Sequence, residues 1–239
     1  MARNIILSGG VGHDFGATSA ALAELLTPLG VESTIVAPAD WEHALRNLDG
    51  AELVTVNALR WTMGAERYAA QREEHRYRTT VALRTALDAQ LAEGRALLSL
   101  HTGCICFDDW PGWGALLGAA WSWDRSYHPA ISDEVEVHDT IRNDRFMLTD
   151  ELYHALRVTS GRDVLAAATL PVGLPPLHMP TSGDGRTGIS QSVLWRSHHG
   201  LGRVVVDTLG HGPESLRHPQ HARMLVAAVD WALSHQILP

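Results

Sequence analysis

Through its first hundred positions the chain alternates between short apolar runs and stretches whose apolar residues recur every three to four positions. The runs read as buried strands, the spaced stretches as amphipathic helices. Asn4 to Ser8 is the first run and closes on Gly9-Gly10. From Ala17 a helical face collects Ala21, Leu22, Leu25, Leu26 and Leu29, with Gly30 placed to stop it. Thr34 to Ala37 predicts a second strand, Trp41 to Leu48 a short helix with Asp40 as N-cap, and Leu53 to Val56 a third strand. Asn57 to His75 follows no clean period and reads as a long loop or lid with some helix. Tyr77 to Glu93 is a stronger helix, with Leu83, Leu87 and Leu91 four apart and Gly94 as the stop. Ala96 to Leu100 is then a central buried strand. Alternating strands and helices predict an α/β protein with a doubly wound, mainly parallel sheet.

The second half is more broken. Val135 to His138 and Val164 to Leu170 read as strands, and Phe146 to Val158 as a polar Thr-Asp-Glu turn between apolar flanks. Pro171 to Gly188 has the Pro and Gly content of a surface loop. Ser192 to Arg196 and Arg203 to Asp207 pair as a hairpin across His198 to Gly202, and Gly210-His211-Gly212 follows. His221 to Ser234 closes the chain as a helix with Met224, Leu225, Ala228, Trp231 and Ala232 on one side. No linker or internal repeat divides residues 1–239, so they read as a single domain.

Composition narrows the chemistry. The net charge of -8 argues against nucleic acid or an anionic membrane as partner. All nineteen basic side chains other than histidine are arginine, so Schiff-base and Walker-lysine chemistry are excluded. The two cysteines, Cys104 and Cys106, are no disulfide framework and lack structural-zinc spacing; buried apolar packing and a reduced, cytoplasmic setting are expected. The N-terminal apolar run is short for a signal peptide, and no 18-residue apolar stretch exists.

Ser99-Leu100-His101-Thr102-Gly103 is similar to a strand-to-helix elbow, in which a tight turn lifts one side chain above the sheet. Here that residue is a histidine, which otherwise would merely end a strand. His13 and Asp14 follow the first strand, His211 a late one, and Glu151 with Tyr153 sits in the polar turn. Open α/β sheets bind ligands at the carboxyl ends of their strands, so these residues point to one crevice. Histidines with a carboxylate can bind a divalent metal, zinc or manganese, with open positions for substrate. Without metal the same groups can move protons. Asp14 serves equally well as the N-terminal partner of the first helix. Trp110, Trp113, Trp121 and Trp123 suit stacking on a sugar face, or packing at a core or a homodimer interface.

Several motifs share one resemblance. Gly9-Gly10-x-x-His13-Asp14-Phe15, the strand ending in His101, Leu117-Gly118 with His128-Pro129, and Phe146-x-x-x-Asp150-Glu151-Leu152-Tyr153 occur in order. Gly202-Arg203-Val204 leading to Leu209-Gly210-His211, and Asp230-Trp231-Ala232, follow. The pattern resembles the trehalose-utilisation (ThuA-like) family across nearly the whole chain. Glu93 to Ala96, Cys104 to Asp109 and the tryptophan-rich segment depart from it. The resemblance implies a flavodoxin-like, class I glutamine amidotransferase-like three-layer sandwich and a sugar or keto-sugar substrate. Glutamine hydrolysis is not expected, because a histidine at the elbow cannot form the thioester. The expected activity is isomerase or lyase proton transfer with His101, Glu151 and Asp14 as catalytic residues. Tyr153, Trp113 and His128 would bind substrate, and His13, His101 and His211 would hold a metal; no nucleotide cofactor is expected. A metal-assisted hydrolase and a non-catalytic sugar-binding module are the alternatives.

Overall fold

The computed structural model describes residues 1–48, 50–128, 132–170 and 190–234. The expected loop at Pro171 to Gly188 lies outside them. The strands are β1 (Ala2–Gly10), β2 (Val31–Val36), β3 (Ala51–Leu59), β4 (Ala96–Leu100), β5 (Ala119–Ala120), β6 (Asp133–Asp139), β7 (Asp144–Asp150), β8 (Arg157–Val158), β9 (Asp163–Thr169), β10 (Gln191–His199) and β11 (Gly202–Asp207). The helices are α1 (Phe15–Leu26), α2 (Trp41–Leu45), α3 (Arg72–His75), α4 (Val81–Ala92), α5 (Pro111–Leu117), α6 (Pro213–Arg217) and α7 (Pro219–Leu233).

Among the described residues nine strands form one sheet in the order β2-β1-β3-β4-β11-β10-β9-β6-β7. The first five run parallel. The rest pair antiparallel, and in the β10–β11 and β6–β7 hairpins a short connection reverses the chain without a crossover. The parallel half has the flavodoxin-like order, whose ligand crevice lies at the carboxyl ends of the strands.

Period-two alternation builds a core on each face. Ile6, Leu53, Leu98, Leu100 and Val205 meet α1, α6 and α7 on one side. Ile5, Leu7, Val54, Val56, Leu97, Val204 and Val206 meet α2, α4 and α5 on the other. The result is a three-layer α/β sandwich.

Boundaries move where side chains cap. Helix α1 starts at Phe15 rather than Ala17, because the Asp14 carboxylate accepts the Ala17 N–H at 2.9 Å. Helix α4 starts at Val81 rather than Tyr77, with the Thr80 hydroxyl accepting from Leu83 N. Asp40 makes no side-chain cap on α2, which ends at Leu45 rather than Leu48. The expected turn across Phe146 to Val158 is strand β7 as far as Asp150, with the turn only after it. Among the described residues no helix is long and apolar enough to cross a membrane.

Candidate metal centre

The elbow is built by close approach. His101 takes a left-handed φ of 47°, and the backbone turns straight from β4 into a short 3-10 segment, His101–Ile105. A Cβ on Gly103 would lie 2.6 Å from both Ser99 Oγ and the Val56 carbonyl oxygen. Gly103→Ala is therefore expected to destabilise the fold by about 1–3 kcal/mol. Urea unfolding of the variant would measure this, and an unchanged midpoint would contradict it.

The His101 ring is oriented by the backbone. Its Nδ1 lies 2.9 Å from the Thr208 carbonyl oxygen. A carbonyl only accepts, so Nδ1 carries the hydrogen and Nε2 presents its lone pair to the crevice. Tyr153 O–H lies 3.0 Å from that Nε2 and donates to it. His13 repeats the device, with Nδ1 3.4 Å from the Val11 carbonyl oxygen. The two Nε2 atoms face each other at 3.3 Å. Two imidazole lone pairs at that distance repel unless a proton or metal cation lies between them.

Glu151 and His211 complete the arrangement. Glu151 Oε2 is 3.5 Å from His101 Nε2, 3.9 Å from His13 Nε2 and 3.4 Å from His211 Nδ1. Donor atoms from His13, His101, Glu151 and His211 all lie within 4.8 Å of one another. Ligands held about 2.0–2.1 Å from one ion stand roughly 3–4 Å apart, so the spacing suits a single divalent ion. Among the described residues Glu151 Oε2 and His211 Nδ1 are buried atoms that find no hydrogen-bond partner, as uncoordinated ligands would be. The four residues can hold a metal ion.

The electrostatics are those of one carboxylate among imidazoles. Burial by itself would raise the Glu151 pKa; His101, His13 and His211, with the charge of His128, outweigh it and hold the carboxyl well below its usual range. The same pairing with Glu151 raises the His211 pKa against the opposing effect of burial. Burial pushes the Tyr153 hydroxyl well above its ordinary value, so it stays protonated as a donor.

A buried layer of hydrogen bonds holds the two loops that bring Glu151 and His211. Asp150 Oδ2 accepts from Gly210 N at 2.7 Å and from the Ser215 hydroxyl, and Oδ1 from His211 N at 3.2 Å and Glu151 N at 2.7 Å. Behind it, the Ser215 hydroxyl lies 3.1 Å from His221 Nδ1, and His221 Nε2 is 2.8 Å from Asp207 Oδ2. Ser215, His221 and Asp207 imitate a hydrolase triad, but all three are buried and the serine hydroxyl is committed to Asp150. Sequence reasoning left Asp207, Ser215 and His221 aside. The available signal was three polar residues interrupting otherwise apolar or helical positions near His211.

The expected site residues divide into those brought together and those not. His13, His101, Glu151 and His211 converge, with Glu151 supplying the carboxylate of the donor set. Tyr153 touches His101, and His128 Nδ1 approaches Glu151 Oε1 to 3.5 Å from the more exposed side. Asp14 is exposed, lies outside the donor cluster and caps α1. Trp113 is buried, its indole N–H donating to the Gly103 carbonyl from beneath the elbow. Cys104 and Cys106 are buried free thiols; burial raises their pKa values, that of Cys106 to about 12, so neither supplies a thiolate.

A family model described as trehalose utilisation, ThuA, matches residues 4–232. No curated protein matches the chain. Among solved structures, a ThuA-like protein from Parabacteroides merdae superposes with a TM-score of 0.71 at 14% identity, covering 100% of this chain and 92% of its own. One from Bacteroides uniformis gives 0.68 at 14% identity over 99% and 93%. A β-galactosidase from Rahnella sp. R3 gives 0.58 at 11% identity, covering 98% of this chain but 32% of its own. At such identities the likeness is one of fold.

Proposed function

We propose, from the premise that this chain belongs to the trehalose-utilisation (ThuA) family, that it is a metal-dependent enzyme acting on a sugar or keto-sugar by proton transfer. The observation that carries this reading is the pair of backbone-oriented Nε2 atoms of His13 and His101, 3.3 Å apart beside the Glu151 carboxylate. His13, His101, His211 and Glu151 would hold a divalent ion, zinc or manganese, matching imidazole and carboxylate donors. The chemistry such an ion would supply there, when bound, is Lewis-acid polarisation of a carbonyl or hydroxyl oxygen.

The chain's own groups supply the rest. Glu151 offsets the positive charge at the centre, and Thr208 and Val11 keep two of the rings turned inward. His128, beside Glu151 Oε1 and 36% exposed, stands where a substrate C–H or O–H proton can be taken up and returned. Tyr153 holds a hydroxyl proton beside His101 Nε2.

A second reading rests on the Tyr153 to His101 contact of 3.0 Å. There His101 Nε2, once the Tyr153 hydroxyl gives way to substrate, is itself the base, the Thr208 carbonyl oxygen on Nδ1 aligns the ring, and Glu151 stabilises the imidazolium. Elemental analysis of native protein and His101→Ala, purified without chelator, separates the two. Near-stoichiometric zinc or manganese in the native protein, lost in the variant, is expected. Metal-free native protein that takes up neither ion on incubation would discard the metal reading in favour of the second.

A further inference from the structure

A cavity apart from the metal centre lies between helix α7 and the antiparallel half of the sheet. It has a volume of about 220 Å³, and none of His13, His101, Glu151 and His211 lines it. Its floor is apolar and buried: Leu165 from β9, Leu194 from β10, and Met224 and Ala228 from α7. Three arginines stand among its walls, Arg142 from the turn after β6, Arg196 from β10 and Arg223 from α7. Among the described residues no aromatic side chain lines it. In a chain of net charge -8, three guanidiniums against the one lining carboxylate of Asp139 are a local excess of positive charge.

The carboxylates nearby do not saturate these guanidiniums. Asp139 Oδ1 accepts the Ile141 and Arg142 N–H groups, both at 3.0 Å, so this carboxylate is committed to the turn. Its Oδ2 is 3.8 Å from Arg223 Nη2, which also lies 3.4 Å from the half-exposed Asp144. Arg196 Nε is 3.4 Å from Asp163, whose side chain is 74% exposed and so well screened. Each of these contacts uses one nitrogen of a group that carries five N–H donors. Arg223 Nε is buried and finds no acceptor among the described residues, which costs free energy until an anion supplies one. Arg142 is exposed, and its guanidinium has no ion pair among the described residues. Arg196 is held in place by its position over the Trp231 ring, 4.7 Å from the ring centre.

We propose that this cavity binds a small amphipathic carboxylate, with a short acyl chain on the leucines and Met224 and its carboxylate among the three arginines. The guanidinium fork matches a carboxylate, and the apolar floor has no use for a bare inorganic anion. The walls offer no ring on which a nucleobase could stack. The volume falls below the roughly 300 Å³ at which pockets for larger ligands begin. At about 30 Å³ for each water-sized group, it holds roughly seven of them, which suits an acid of about six carbons. The site is independent of the metal centre and of the sugar chemistry proposed above.

NMR amide-shift titration of the full chain with hexanoate, acetate and hexanol tests it. Hexanoate is expected to bind at least about tenfold more tightly than acetate, since each buried methylene contributes roughly fourfold. It is expected to exceed uncharged hexanol by about tenfold, the contribution of hydrogen bonds to a charged group. The shifts should fall on α7 and on the turn after β6. Arg142→Glu, which reverses an exposed charge, should weaken hexanoate binding roughly tenfold. Ala227→Trp, which fills the cavity from an exposed position of α7, should abolish it. Both positions are exposed, so urea unfolding midpoints should stay near the native value. Absence of saturable hexanoate binding, acetate or hexanol binding as tightly as hexanoate, or native affinity in either variant would overturn the site. So would shifts confined to the amides around His13, His101, Glu151 and His211, which would place the carboxylate at the metal centre instead.

Discussion

His221→Ala is expected to cost about 3–5 kcal/mol of stability at neutral pH, because it strands a buried charge. His221 and Asp207 are both fully enclosed, their side chains 0% exposed and 2.8 Å apart. His221 Nδ1 also donates to the Ser215 carbonyl oxygen at 2.9 Å, so both ring nitrogens act as donors and the ring is an imidazolium. Removing it leaves Asp207 with the Leu209 N–H and no counter-charge. Burial pulls the His221 pKa down, and the charge and hydrogen bond of Asp207 more than reverse this, lifting it to about 9 against an ordinary 6.5. A pKa raised by folding stabilises the protein fully below the unfolded value and is lost as pH climbs through the folded one. Native stability should thus fall by on the order of 3 kcal/mol between pH 6.5 and somewhat above 9. Urea unfolding of native protein and His221→Ala across that range checks both points. Parallel profiles would show that the pair is not the source of the slope.

Asp150→Asn is expected to weaken metal binding roughly 10–100-fold, the range seen when an outer partner of a metal ligand is lost. Asp150 touches no donor atom of the centre. It takes the backbone N–H groups of Glu151, Gly210 and His211 and the Ser215 hydroxyl, tying the turn after β7 to the loop after β11. An amide keeps the shape but turns an NH2 group toward hydrogen-bond donors, so at least one contact becomes repulsive. The loops that carry Glu151 and His211 then lose their common anchor. Chelator-competition titration reads the affinity, and Asp150→Glu, which restores the charge with a longer reach, should recover part of it. Native affinity in Asp150→Asn would mean that each loop holds its own ligand unaided.

The layered fold was legible because each strand and helix advertises itself over a few residues. Ile5 and Leu7 on one face and Ile6 on the other, or Leu83, Leu87 and Leu91 along α4, encode burial through local spacing. Gly30 and Gly94 take the left-handed conformations, φ 71° and 80°, that stop a helix. The His101 elbow was readable for the same reason: Gly103 two residues on reports the tight turn by its missing side chain. Helix ends were read less well, because Asp14 and Thr80 set them through single hydrogen bonds that no periodicity carries.

The centre itself draws one residue each from the ends of β1 and β4, the turn after β7 and the loop after β11. Sequence alone identified His13, His101, Glu151 and His211 as polar residues at element ends, and the crevice rule suggested that they meet. It could not order them. Tertiary structure brought Glu151 rather than Asp14 to the histidines, left Asp14 on its helix cap and put Trp113 beneath the elbow. It also made His221, otherwise one polar position in the first turn of an amphipathic helix, half of a buried ion pair. Local pattern determines which residues are buried and which elements form, because spacing along one segment suffices. Which lone pair faces which depends on crossovers joining positions 13, 101, 151 and 211, and only the assembled sheet decides that.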